Sequence, residues 1–343
     1  MTLELGLDTF GEVTRDAGGV ELPQAQVLRN LVEQGVLADR LGVDFLGVGE
    51  HHRADFAVSA PEVLLAAIAA RTSRIRLGSA VTVLSSDDPI RVYQRFATLD
   101  AVSGGRAEVI VGRGSFTESF PLFGYDLSAY EELFEQKLDL FVALLRQDKV
   151  NWSGKLRPPL VNQRVFPRPE SGTIKTWIGV GGSPESVVRA ARYRLPLMLA
   201  IIGGEPMRFR AYVDLYRRAC DQLGHATPEI GVHSPGYVAA TDARARDEFF
   251  SDYKAMRDRI GGERGWPPMG RDEYEREIET GSLYVGSPET VAGKIAATAR
   301  ALSLSHFDLK YSAGGLSHAR QMRCIELYAG EVMPRARALL AAG

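Results

Sequence analysis

The chain has only two cysteines in 343 residues, Cys220 and Cys324, with neither Cys-x-x-Cys spacing nor neighbouring histidine ligands. That leaves no disulfide framework to read and fits free thiols in a reducing compartment. An excess of one charge is also missing: 41 Lys and Arg stand against 43 Asp and Glu, a formal net charge of −2. Proteins that bind nucleic acid or membrane surfaces carry a basic excess somewhere, so neither partner is expected. No apolar run approaches the roughly 18 residues that span a bilayer, and Met1-Thr2-Leu3-Glu4-Leu5 has no basic leader region. A soluble, cytoplasmic protein is the expectation. Three chemical signatures are absent as well. No Gly-x-Gly-x-x-Gly follows the first strand-like stretch, no Gly-x-Ser-x-Gly elbow occurs, and no His-x-x-x-His or His-x-x-Glu offers a metal-binding face.

What is present is an alternation. Strand-like segments lie at residues 3–8, 45–49, 75–84, 106–112, 176–180, 195–200, 229–233 and 307–311. Helix-like segments between them run from Pro23 to Leu41, Glu62 to Arg71, Ile90 to about Val102, about Ser128 to Lys149, Pro184 to Tyr193 and about Pro206 to Leu223. A last helix covers about Ser317 to Val332. Eight such units predict a parallel sheet closed into a (β/α)8 TIM barrel, one domain over residues 1–343. A doubly wound open sheet is the competing architecture. Two stretches exceed a minimal barrel. Residues 151–171 hold four prolines and no helical period, which reads as an irregular excursion. Residues 242–281 are charged, with breakers at Gly261-Gly262 and Pro267-Pro268, and read as an insertion between strand 7 and helix 7 serving as a lid or binding loop.

Four stretches fall at strand ends, where barrels place their chemistry. The first is Glu50-His51-His52, closing the apolar run Phe45–Gly49; it holds the chain's only adjacent histidine pair. Strand alternation sends the two imidazoles to opposite sides, one inward over the strand end and one bracing the loop. Adjacent residues diverge in this way, which argues against a shared metal. The second, Gly78-Ser79-Ala80-Val81-Thr82, has side chains small enough for a flat ring to lie against, though small residues also suit plain barrel packing. The third is Gly112-Arg113-Gly114, a guanidinium suited to a phosphate or carboxylate, or else a surface arginine in a turn. The fourth is Gly181-Gly182-Ser183-Pro184-Glu185-Ser186. Here Ser183 caps a helix whose first N–H groups, with the Ser183 and Ser186 hydroxyls, form a phosphate cradle or simply a capped helix. A planar, phosphate-bearing cofactor beside a histidine uses all four.

In the order and spacing of these motifs the chain resembles the bacterial luciferase-like flavin monooxygenases from Leu5 to about Arg337. Further carriers are Leu41-Gly42-Val43-Asp44-Phe45, Asp88-Pro89-Ile90-Arg91, Ser103-Gly104-Gly105-Arg106 and Gly286-Ser287-Pro288-Glu289-Thr290-Val291. The resemblance implies a (β/α)8 barrel with FMN at the carboxyl ends of the strands. It places His51 in the catalytic position with Glu50 and His52 beside it, and a non-proline cis peptide at Ala80-Val81. It assigns Arg113, Ser183 and Ser186 to the phosphate, with Gly112, Gly114, Gly181 and Gly182 around them. The reaction it implies starts from reduced FMN, supplied by a separate flavin reductase, and uses O2 to oxygenate a small organic substrate. In it His51 tunes protonation, a task suited to an ordinary pKa of about 6.5. Phe10, Phe56 and Phe116 are expected to keep water away. Gly112 stands where the luciferase catalytic subunit has a reactive cysteine, which counts against aldehyde-driven light emission. A homodimer is implied by the resemblance alone. The alternatives are F420-dependent hydride transfer on the same fold and a non-catalytic flavin-binding barrel.

Overall fold

The computed structural model describes residues 3–16 and 18–342. In chain order its elements are β1 (Glu4–Thr9), α1 (Gln24–Leu41), β2 (Phe45–Val48), α2 (Pro61–Ala69), β3 (Arg76–Val83), α3 (Pro89–Ser103), β4 (Ala107–Gly112), α4 (Ser119–Leu122) and α5 (Tyr130–Arg146). There follow β5 (Val150–Trp152), β6 (Leu160–Gln163), β7 (Lys175–Val180), α6 (Pro184–Tyr193), β8 (Leu197–Ala200), α7 (Arg210–Gln222), β9 (Ile230–Val238), α8 (Asp242–Arg264) and α9 (Arg271–Glu279). The chain ends with β10 (Tyr284–Gly286), α10 (Pro288–Leu302), β11 (His306–Lys310), α11 (His318–Leu327) and α12 (Met333–Ala341).

Eight strands pair in parallel and close: β1-β2-β3-β4-β7-β8-β9-β11, with β11 returning to β1. These are the eight read from the sequence. Alternation explains how each strand serves two cores. Leu5, Leu7, Leu46, Leu77, Val109, Ile178 and Leu199 point outward into one continuous core beneath the helices. The opposite faces fill the barrel with Phe45, Ala80, Ile110, Trp177 and Met198 on one side. On the other side the interior is ionic, carrying Asp8, His306 and Asp308. Glycine makes room where the interior is tightest: a Cβ at Gly78 would sit 2.7 Å from the Phe45 ring.

Local signals fix the helix ends. Asp88 accepts hydrogen bonds from the Ile90 and Arg91 amides ahead of α3, Ser183 accepts from Ser186 at α6, and Ser287 accepts from Thr290 at α10. Gly42 and Gly104 close α1 and α3 in the left-handed conformation.

Three segments differ from the sequence reading. The excursion at 151–171 contains an antiparallel hairpin, β5 with β6, and Trp152 Nε1 donates to Asp139 Oδ2 at 2.9 Å to hold it against α5. Residues 242–281 are two helices rather than a loop. Thr241 caps α8, and Ala245, Phe249 and Tyr253 recur on one buried face. Gly261-Gly262 fall inside the last turns of α8, while Gly265 (φ +72°) makes the stop. The stretch between that insertion and the last barrel strand, left unassigned by the periodicity, supplies β10 and α10; β10 pairs with the outer half of β9.

Candidate functional site

A cavity of about 760 Å³ opens at the carboxyl ends of the strands. Its walls come from the loops after β2, β3, β4, β7 and β8, and its roof from Tyr253, Met256 and Ile260 of α8 with Trp266 and Met269 beyond it. A cavity of this size is ample for a cofactor and a small substrate.

The strand β2 delivers its polar triplet to one wall, and the three side chains part as alternation demands. Glu50 turns back: its Oε1 accepts the Val83 amide at 2.5 Å and its Oε2 lies 3.5 Å from His52 Nε2. Hydrogen bonding to Glu50 raises the His52 pKa, and Phe123 meets that ring edge-on at 5.0 Å. His52 therefore braces the loop. His51 points inward, into a box of Phe10 (5.1 Å between ring centroids), Phe56 (4.4 Å) and Phe116 (4.6 Å). These are the three phenylalanines expected as walls. Burial in that box pushes the His51 pKa down to about 4, against the opposing pull of Glu12 and Asp55. His51 is consequently an uncharged imidazole at neutral pH, and its ordinary pKa, the basis of the sequence argument, does not survive folding.

The Ala80–Val81 peptide is cis. Val81 borders the cavity between two glycines: a Cβ at Gly112 would lie 2.8 Å from its Cγ2, and one at Gly179 would lie 3.1 Å from its Cγ1. Gly181, also in the wall, has open space where a Cβ would stand. The result is a smooth ledge against which a flat ring fits.

Gly112, Arg113 and Gly114 line the cavity as well. Gly114 (φ +80°) turns the chain so that its carbonyl accepts the Tyr130 hydroxyl at 2.6 Å, while the Arg113 guanidinium lies 5.5 Å from the Tyr130 ring centroid. Arg113 is ion-paired with Glu131. Gly182, Ser183 and Ser186 do not line the cavity itself. They lie behind it, linked by a second cation the sequence reading missed. Arg189 reaches the other oxygen of Glu131 at 3.5 Å and donates to Ser186 Oγ at 3.2 Å. The i, i+3 spacing from Ser186 on α6 was the available signal. Two guanidiniums, two serines and the first turn of α6 make a cradle suited to a phosphate; Glu131 is the anion the guanidiniums now share, and Ser183 Oγ donates to Glu185 Oε2 at 2.8 Å. Ledge and cradle together fit a planar, phosphate-bearing cofactor, with Arg113, Arg189 and the α6 turn toward the phosphate and Val81 toward the ring. Further residues of the wall, Asp8, His233 and Lys310, were read from sequence only as strand positions.

Comparison with known proteins agrees with this fold. A model of luciferase-like monooxygenases matches residues 9–305. The alkanal monooxygenase alpha chain of the Kryptophanaron alfredi symbiont is 26% identical over 234 residues, covering 65% of this chain and 62% of that one. The chain spans about half to three-fifths of the length of the curated relatives it matches first. Monooxygenase RslO1 from Streptomyces bottropensis superposes with a TM-score of 0.82 at 22% identity, over 97% of this chain and 99% of that one. The oxygenating constituent of 3,6-diketocamphane monooxygenase from Pseudomonas putida, solved with FMN, gives 0.75 at 19%, over 97% and 99%. An F420-dependent secondary alcohol dehydrogenase gives 0.75 at 16%, over 98% and 99%. At these identities the three structures establish the fold alone.

Proposed function

Because the chain belongs to the luciferase-like monooxygenase family, we propose that it is an FMN-dependent monooxygenase that uses O2 to oxygenate a small organic substrate. The observation that carries the reading is the continuity of one cavity from the Arg113 cradle, past the Val81 ledge, to the aromatic box of His51. Reduced FMN bound there supplies the electrons with which O2 is activated.

The chain's own residues take defined parts. Arg113 and the backbone of Gly181 hold the phosphate from the cavity wall, and by displacing Glu131 from Arg113 and Arg189 it reaches Gly182, Ser183 and Ser186 behind that wall. Ala80, Val81, Gly112 and Gly114 support the ring. His51, uncharged at neutral pH, offers a hydrogen bond or accepts a proton inside a box that excludes water, where such a group is worth more than in solvent. Glu50 and His52 keep the His51 loop in place. The helices α8 and α9 act as the lid of a single barrel domain. A cytoplasmic homodimer served by a separate flavin reductase completes the proposal.

The test is a fluorescence titration of the purified protein with FMN and with F420, followed by oxygen uptake with reduced FMN. Micromolar FMN binding with oxygen uptake supports the reading. F420 binding alone would replace it with hydride transfer, and binding of neither would leave a non-catalytic barrel. With FMN bound, His51→Ala should retain the flavin and lose coupling of oxygen uptake to product; undiminished coupling removes His51 from the mechanism.

A further inference from the structure

The ionic half of the barrel interior holds an array that the proposed function leaves unused. Asp8 on β1, His233 on β9, and His306 and Asp308 on β11 are all more than nine-tenths buried. His233 Nδ1 is hydrogen-bonded to Asp8 Oδ2, and His306 Nε2 to Asp308 Oδ1 at 2.7 Å. The strand register makes the two pairs neighbours: Gly6 lies opposite Asp308 and Asp8 opposite Lys310, so both carboxylates face inward one step apart. Gly6 is what admits the second of them, since a Cβ there would lie 2.0 Å from Asp308 Oδ1.

Each pair leaves one oxygen over. Asp8 Oδ1 and Asp308 Oδ2 are buried with no hydrogen-bond partner. Two adjoining ionised carboxylates in a dry interior would each forgo a hydrogen bond and repel one another. A proton on Asp308 removes the repulsion, as in paired-carboxylate sites generally. Burial, reinforced by the charge of Asp8, raises the Asp308 pKa in that direction. His306, between Asp308 and Glu4 Oε2 (3.2 Å), is held as the imidazolium that offsets the remaining charge.

At the upper end the array meets the cavity. His233 lines the cavity wall, stacks on Phe10 at 5.8 Å, and has no partner for Nε2 among the described residues. Phe10 also meets His51, in a T-shaped contact at 5.1 Å between ring centroids. Lys310 and Glu12, ion-paired to each other, flank the array above, and Arg76 and Glu108 lie below it.

We propose that His233 is the residue that exchanges protons with the ligand bound in this cavity, and that Asp8, set in place beside Asp308 and His306, holds the Nδ1–H and so leaves Nε2 free to do it. One proton passes from an acidic atom of the ligand to the Nε2 lone pair while the Nδ1–H keeps its hydrogen bond to Asp8 Oδ2. The imidazole becomes an imidazolium beside the carboxylate and the ligand gains one negative charge. The reverse transfer restores both. The inference rests on the flavin reading for its ligand, but the array itself is a property of the protein alone.

Two measurements test it. The first records the ¹⁵N NMR signals of the His233 ring at pH 7.5 in the unmodified protein and in Asp8→Asn. The ring should carry its hydrogen on Nδ1 in the unmodified protein and lose that preference in the variant; a ring with its hydrogen on Nε2 in the unmodified protein overturns the array. The second photoreduces bound FMN, mixes it with aerated buffer, and follows reoxidation to FMN and hydrogen peroxide at several pH values. His233→Gln should bind FMN within about threefold of the unmodified protein, yet reoxidise it about 100-fold more slowly and with a flat pH profile. A folded, FMN-binding His233→Gln with the unmodified rate and profile overturns the proposal. If the unmodified protein binds no FMN, the flavin reading falls, and the ¹⁵N signals alone then decide for or against the array.

Discussion

Arg113, after β4, and Arg189, on α6, converge on the two oxygens of one carboxylate, that of Glu131. Neither arginine faces solvent freely, and between them they outweigh the single charge they hold. Glu135 shares Arg189 at 2.5 Å and also takes Arg192, so the cradle is built from a network rather than from isolated pairs. An arriving phosphate competes with Glu131 for the same donors.

That competition has a measurable sign. Arg113→Ala removes charge-assisted hydrogen bonds of about 1.5–3 kcal/mol, so FMN should bind roughly 10- to 150-fold more weakly. Glu131→Gln should act the other way and tighten FMN a few-fold. Riboflavin, which lacks the phosphate, should respond to neither change. Fluorescence titrations of both flavins decide it, and an equal loss of riboflavin binding in Arg113→Ala would show that the arginine supports the ring instead.

The buried His51 carries a stability cost in acid. Its folded pKa of about 4 lies below its ordinary value of 6.5, so the unfolded chain binds the extra proton first. Stability associated with the neutral ring is therefore complete above about pH 6.5 and is lost as pH falls toward 4, on the order of 3 kcal/mol in all. Urea denaturation at pH 7.5 and 4.5 should show that loss in the unmodified protein and a smaller loss in His51→Phe. Parallel losses in the two would mean that other groups govern the acid limb.

The end of α8 is tied to the rim of the cavity through a forked ion pair, Arg53 Nη1 and Nη2 to Glu263 Oε2 and Oε1 at 2.8 and 2.5 Å. Arg259 adds Asp55 at 2.9 Å, and Arg264 donates to the Ser115 carbonyl at 3.2 Å. Arg53 and Arg264 also lie 5.0 and 5.1 Å from the Phe116 ring centroid. Glu263 is about half exposed, so the pair is worth no more than about 1 kcal/mol. Arg53→Ala should thus leave the melting temperature nearly unchanged while hydrogen exchange in the last turns of α8 speeds up several-fold. Unchanged exchange there would mean that apolar contacts of the roof, not the arginines, keep the helix down.

The barrel was legible because each strand carries its own alternation and each helix its own stops: Leu5 and Leu7 outward with Gly6 and Asp8 inward, Gly42 and Gly104 just past helix ends. The site was legible where it is local, as in Glu50-His51-His52 and the Ser183 cap. The lowered pKa of His51 was not, because it depends on how closely the three expected phenylalanines, from three separate loops, pack around the ring. The helix α8 was hidden by Gly261-Gly262, which tertiary contacts tolerate, and by a charge-rich sequence in which Arg246, Arg257 and Arg259 pair with Glu275, Glu273 and Asp55 of other segments. The contact between Asp8 and His233 spans 225 positions and exists only once the barrel closes. Its trace in the sequence was the charge on alternate residues of the last strand, Asp308 and Lys310, pointing where a core would be apolar.

The pairing of β1 with β11 also sets an order of events during synthesis. On a ribosome the first strand emerges with Asp8 and has no neighbour on one side until nearly three hundred residues later. Every earlier length of nascent chain exposes an open sheet edge and strands Asp8 without its histidine's barrel around it. The cavity therefore cannot form piecemeal as the chain is made: its wall closes only when β11 is free to pair with β1.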